Sequence, residues 1–252
     1  MNGNNLESLM VVVMNHFVDR FANQAILKGG MELRLLDCPR FTNDLDYVFI
    51  PFSSKKDLRD IVVEALKEIP GTVVTSSINS KCLRCVVEHE NTKLQIEINA
   101  EKECPSLELS TAGLARESGQ QGRIVRVMRP DHALAHKIAA WNERNLMRDM
   151  FDIYFLFERS GVKPEVEVLR KRLAASEIRT SGKTKKIGMT VHELCKKINA
   201  FIESVTQGAI DGELKDYLTG EELSGLELKF KAAMKRLVEY LNQTILAPAR
   251  RS

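Results

Sequence analysis

Residues 25–50 read AILKGGMELRLLDCPRFTNDLDYVFI, and the order of elements in this stretch decides how the chain folds. Ala25-Ile26-Leu27 is a short apolar run that ends at Lys28-Gly29-Gly30. Met31 to Leu36 has helical character, and Leu45 to Ile50 is a β-rich run stopped by Pro51. Asp44-Leu45-Asp46 opens that strand, and the two-residue period of a strand sets both carboxylates on one face with Leu45 on the other. Neighbouring like charges repel, which a cation between them relieves, and oxygen donors suit Mg²⁺. A lone D-x-D also fits a solvated strand start. Gly29 and Gly30 let backbone approach a ligand closely where a helix begins, and exposed N–H groups there bind phosphate oxygens. The spacing therefore sets a phosphate cradle and a metal-binding pair fourteen residues apart, across one short helix.

Outward from this stretch, Leu6 to Phe21 carries apolar residues at helical spacing, and Lys55 to Ile69 is a second helix ended by Pro70-Gly71. Thr72 to Ile78, Cys82 to Glu88, Lys93 to Asn99 and Arg123 to Met128 are strand candidates. Glu97 sits between Ile96 and Ile98, so it faces away from the buried side; it is a candidate third acid, and its position equally fits the solvent side of a strand. At Met128-Arg129-Pro130-Asp131 the pattern turns helical, with Pro130 placed as in a first helical turn. Ala133 to Asn142, Arg148 to Glu158, Glu165 to Ala175, Val191 to Val205 and Leu226 to Leu246 read as helices, and Ile178 to Ile187 as a basic linker or mobile loop. The expectation is an α+β chain: an α/β domain over residues 1–128 and a helical domain over 129–252.

The composition fits a globular chain, with 44% hydrophobic and 28% charged residues. No apolar run approaches the roughly 20 residues of a membrane span, and MNGNNLES lacks signal-peptide features, so no membrane association and a cytoplasmic location are expected. Five scattered cysteines do not make a disulfide framework, and Cys82-Leu83-Arg84-Cys85 has no second pair to complete a zinc site. His132 and His136 lack the glutamate of a zincin motif, and no nucleophile elbow supports a hydrolase. Of the 37 basic and 34 acidic residues, residues 1–128 hold 15 and 17, and residues 129–252 hold 22 and 17. Lys163 to Lys197 contains ten basic and four acidic residues, a hint of a polyanionic partner that also fits a solvated helical face. Trp141, the only tryptophan, reads as packing between domains rather than as a base-stacking group.

LKGGMELRLL followed by RFTNDLDYVFI resembles the signature of the AbiEii/AbiGii toxin family of nucleotidyltransferases, LKGGTAL and then R-F/x-S/T-x-DLD. A second match, Lys137-Ile138-Ala139-Ala140 with Arg144 and Arg148-Asp149-Met150-Phe151-Asp152, is similar to that family's K-x-x-A…R…RD-x-x-D pattern. The resemblance implies a nucleotidyltransferase fold that uses Mg²⁺ or Mn²⁺ and an NTP. It makes Asp44, Asp46 and Glu97 the metal ligands, and it adds Lys137 and Asp149 to them as catalytic residues. It places Lys28, Gly29, Gly30, Lys137 and Arg148 on the nucleotide, with Asp152 matching the same pattern. It further implies the toxin half of a bacterial toxin–antitoxin system, with a cognate antitoxin and an acceptor such as a tRNA 3′ end or other RNA. Met31 departs from the Thr or Ser common at that position, and Glu32 from a small residue, which predicts a missing phosphate-contacting hydroxyl. A nucleotidyltransferase acting on a small molecule or protein, and a non-catalytic nucleotide- or partner-binding module, are the alternative readings.

Overall fold

The computed structural model describes residues 3–180 and 183–246. The chain divides into two compact units, residues 1–129 and 130–252.

The first unit is built on a mixed seven-stranded sheet. Helix α1 (Gly3–Phe21) leads through a 3-10 turn into β1 (Ala25–Lys28), α2 (Gly29–Leu35), β2 (Asp44–Phe49), α3 (Lys55–Lys67) and β3 (Thr72–Ile78). There follow β4 (Leu83–His89), β5 (Thr92–Ala100), β6 (Ser106–Ser110), α4 (Ala112–Glu117) and β7 (Ile124–Met128). The strand order is β3-β4-β5-β2-β1-β7-β6. β2 runs parallel to β5 and β1 parallel to β7, and every other pairing is antiparallel.

One period-2 set of side chains builds the core. Leu45, Tyr47 and Phe49 of β2, Ile96 and Ile98 of β5, and Leu83 and Cys85 of β4 are buried together with Leu9, Val13 and Phe17 of α1 and Leu58 and Val62 of α3. Phe17 meets Phe21, Tyr47 and Phe49 edge to face, with ring centroids 5.3, 5.1 and 5.8 Å away. The alternate set, Asp44, Asp46, Gln95 and Glu97, is left for the opposite face of the sheet. Burial of one face thus presents the acids on the other.

In the second unit, α5 (Pro130–Arg144) turns through two residues into α6 (Met147–Tyr154), which continues as a single π-helical turn over Phe155–Arg159. Next come α7 (Val166–Ala174), the hairpin of β8 (Glu177–Thr180) and β9 (Lys183–Lys186), α8 (Val191–Ser204), α9 (Gln207–Leu214), α10 (Gly220–Leu223) and α11 (Leu226–Leu246). The apolar stripe Leu226, Phe230, Met234, Leu237 and Leu241 is fully buried. Trp141 packs edge to face on Phe201 of the same unit at 5.4 Å, so these contacts belong to the helical core. Among the described residues, no helix is long and apolar enough to cross a membrane.

One expectation is corrected, and two elements carry no sequence signal read above. Of the stretch expected to be a basic linker or mobile loop over Ile178 to Ile187, the described residues Glu177–Thr180 and Lys183–Lys186 pair as two strands, from Glu177↔Lys186 to Thr180↔Lys183. Ser106-Leu107-Glu108-Leu109-Ser110 is an edge strand although it is only five residues long. Gln207–Leu214 is helical despite Gly208 and Gly212, with Thr206 accepting from the Ala209 N–H as its N-cap.

Candidate active site

Gly29 begins α2 at φ +77°, in the left-handed region that favours glycine. A Cβ there would collide with the carboxylate of Asp46, and one on Gly30 would collide with the Thr42 hydroxyl. The two glycines are thus the residues that let the α2 turn lie directly on the acids of β2. Thr42 donates its hydroxyl to Asp44 Oδ1 at 3.0 Å, fixing that carboxylate from one side. Arg40, only 6% exposed, donates to the Phe41 carbonyl at 3.0 Å and stiffens the loop that leads into β2.

Register then sets a charged row across four strands. Lys28 of β1 pairs with Asp46 of β2, Asp46 with Glu97 of β5, and Glu97 with Arg84 of β4. In-register partners share a face, so two adjacent carboxylates are bracketed by two cations. Glu97 Oε1 accepts from Arg84 Nη2 at 2.8 Å and from Gln95 Nε2 at 3.1 Å. Asp44 stands one period along β2, beside Gln95. Asp44 and Asp46 offer all-oxygen donors of the kind hard divalent cations take, usually one or two carboxylates completed by water and phosphate. Glu97 is the third acid of this face and is already engaged by Arg84. Among the described residues, no three His, Cys, Asp or Glu side chains form a preassembled metal cluster. The fit to Mg²⁺ or Mn²⁺ therefore rests on the donor chemistry of the β2 pair.

Met31 is 1% exposed and belongs to the core cluster with Leu27 and Leu45. Its side chain packs with Leu45, which lies on the face of β2 opposite Asp44 and Asp46. The hydroxyl at this site is that of Thr42. Glu32 is also buried.

The remaining sequence-derived residues lie in the second unit. Lys137 Nζ meets the fully buried Asp152 Oδ2 at 2.6 Å. Arg144 grips Asp149 with Nε and Nη2, each at 2.7 Å from a carboxylate oxygen. The two ion pairs are rungs across α5 and α6, and Asn145 at φ +53° makes the tight turn between the helices. Lys137 thus pairs with Asp152, and Asp149 with Arg144. Arg148 makes no hydrogen bond or ion pair among the described residues. Its neighbours Leu146, Glu213 and Tyr217 line a cavity with it.

Of the basic stretch 163–197, several members are tied to their own unit. Lys163 lies over the Phe157 ring at 4.1 Å, and Arg172 pairs with Glu143 at 3.4 Å. Lys197, whose pKa burial lowers, donates to the Asn142 carbonyl at 2.6 Å. The side chains of residues 177–186 lie outside the described set. Cys82 and Cys85 are both buried, and burial pushes the Cys85 thiol up to about 12, which suits packing rather than redox chemistry.

Two contributors escaped sequence reading. Arg84 was findable: a two-residue turn at Glu90-Asn91 pairs His89 with Thr92, and counting back opposes residues 84 and 97. Thr42 had no such signal, since its role depends on where Gly30 sits.

A model of the family described as nucleotidyl transferase AbiEii toxin, type IV toxin–antitoxin system, matches residues 13–243. Among solved structures, JHP933 from Helicobacter pylori is similar at 14% identity and TM-score 0.54, over 97% of this chain and 96% of that one. An H. pylori protein described as a candidate nucleotidyltransferase is similar at 17% identity and TM-score 0.53, over 95% and 96%. At these identities the likeness is one of fold. No curated protein sequence matches the chain.

Proposed function

This chain belongs to the AbiEii toxin family of nucleotidyl transferases, and from that membership we propose that it moves a nucleoside monophosphate from an NTP to an acceptor hydroxyl with the help of a divalent cation. The observation that carries the reading is the absence of side chains at Gly29 and Gly30, which seats backbone against Asp46 and Thr42. Asp44 and Asp46 would hold Mg²⁺ or Mn²⁺, with Glu97 as the third acid, and the chemistry supplied there is neutralisation of phosphate charge. The α2 turn gives backbone N–H groups to phosphate, and Lys28, at the end of β1, adds a cation to the same row. Lys137, held by Asp152, offsets charge on the departing pyrophosphate. Asp149 positions Arg144 and, through it, the α5–α6 turn.

For the acceptor we take an RNA hydroxyl, a tRNA 3′ end first. The basic excess of residues 129–252, 22 against 17, supports a polyanion. A cognate antitoxin as partner and a cytoplasmic location complete the proposal.

The test is incubation with total RNA, Mg²⁺ and each labelled NTP in turn. A tRNA-sized labelled band with one NTP, lost in Asp44→Ala, is expected. Incorporation unchanged in Asp44→Ala would end the metal-site reading, and labelling of a small molecule in place of RNA would move the acceptor class.

A further inference from the structure

The second unit contains a cavity of about 210 Å³ lined by Leu146, Arg148, Glu213 and Tyr217. Its two charged members have opposite sign, yet no ion pair joins them. Glu213 instead uses Oε2 to accept from the Met147 N–H at 3.1 Å, which holds its carboxylate at the start of α6. Arg148 has neither a hydrogen bond nor an ion pair among the described residues, although it is half-buried. A gap that keeps a carboxylate and a guanidinium apart suits a ligand with a hydrogen-bond donor at one end and an anion at the other. The Tyr217 ring and Leu146 line the same cavity and supply apolar surface of the kind on which a base stacks. Arg148 also precedes Asp152 by four residues on α6, about 6 Å of helix rise.

We propose that this cavity is a nucleobase pocket that selects an amino-bearing base, cytosine or adenine, on a phosphorylated nucleotide. An ionised carboxylate only accepts hydrogen bonds. Glu213 therefore attracts the exocyclic N–H of cytosine or adenine, whereas uracil would turn a carbonyl oxygen toward it. With Oε2 already on Met147, one carboxylate oxygen is left for a single amino group. The guanidinium of Arg148 takes the phosphate. The same chemistry is offered by a free NTP and by the last nucleotide of an RNA. The choice of a nucleotide as ligand rests on the transferase reading; the selectivity for an amino group rests on Glu213 alone.

The experiment is equilibrium binding to the full chain, without divalent metal. CTP is compared with UTP in one arm, and short RNAs ending in C with those ending in U in the other. A preference for C of roughly tenfold or more is expected in at least one arm, which identifies the source. Glu213→Gln should bring the ratio to one or below, because an amide that keeps its oxygen on the Met147 N–H turns only donor N–H groups toward the base, and these favour the carbonyl of uracil. Arg148→Ala should weaken the phosphorylated ligands and leave the binding of cytidine unchanged. Equal binding of C and U in both arms, or a ratio that survives Glu213→Gln, would overturn the pocket. Incorporation without base preference sinks this inference and spares the transferase reading; base preference without incorporation does the reverse.

Discussion

At the scale of single residues, the site depends most on side chains that are missing. Gly29→Ala must accommodate a Cβ at φ +77° and against Asp46 at once. The backbone strain alone costs about 1–3 kcal/mol, and the collision displaces a proposed metal ligand. Loss of Mn²⁺ binding, followed by electron paramagnetic resonance, together with a lower denaturation midpoint is expected; unchanged Mn²⁺ affinity would refute the close approach. Met31→Thr tests the opposite case. Because Met31 is 1% exposed within the core, restoring the family's hydroxyl should cost on the order of 1–3 kcal/mol of stability and leave the KM for NTP unchanged. A drop in KM would mean that position 31 does reach the phosphates. The glycines and the carboxylate pair were legible in the sequence because their spacing is the geometry itself. The orientation of Met31 was not, since a residue one place past the Gly-Gly turn can point to the ligand or to the core, and only the packing of α2 decides.

At the scale of elements, the α5–α6 pair separates stability from chemistry. Asp152 is fully buried on Lys137, and removing one charge of such a pair while leaving the other typically costs about 3–5 kcal/mol. Asp152→Asn should therefore lower the melting temperature strongly. The double variant Lys137→Met/Asp152→Leu should recover most of that loss and still fail to incorporate nucleotide. If the double variant is active, Lys137 has no part in the reaction. A second element-scale device is the capping box of α8, in which Thr190 accepts from the Glu193 N–H and Glu193 accepts from the Thr190 N–H at 2.8 Å. Hydrogen bonds from the Thr190 backbone and hydroxyl hold the Glu193 carboxyl below its usual range. A depressed acid stabilises the fold where it is ionised, so this contribution is present at neutral pH and disappears as pH falls through the folded pKa. Thr190→Ala should cost about 1 kcal/mol at pH 7 and less in acid, read from denaturation midpoints at the two pH values. The T-x-x-E spacing of this cap stood in the sequence. The partners of Lys137 and Asp149 did not, because four charged residues on two helices allow more than one pairing until the turn at Asn145 sets their offset. β6 and the β8–β9 hairpin escaped for a related reason: strands of four or five residues owe their form to pairing rather than to their own pattern.

At the scale of the whole molecule, core and chemistry use opposite faces of one sheet, so they should respond differently to metal. Asp46 and Glu97 are in-register neighbours, and like charges so placed oppose folding even with Lys28 and Arg84 at the ends of the row. A divalent cation that binds only the folded chain removes that opposition and stabilises it by mass action, about 2.7 kcal/mol at a hundred times its Kd. The hydrophobic side of the sheet, with Phe17 against Tyr47 and Phe49, takes no part in this and holds the fold without metal. Two outcomes follow. Chelation should abolish nucleotide transfer while the far-ultraviolet circular dichroism stays unchanged. Added Mg²⁺ or Mn²⁺ should raise the melting temperature of the native chain in a concentration-dependent way, and Asp44→Ala/Asp46→Ala should abolish the rise. The same double variant should melt at or above the metal-free native value, because it deletes repulsive charge from the face that buries no core. A metal-dependent melting temperature that persists in the double variant would place the cation elsewhere in the molecule and detach the row from the chemistry proposed for it.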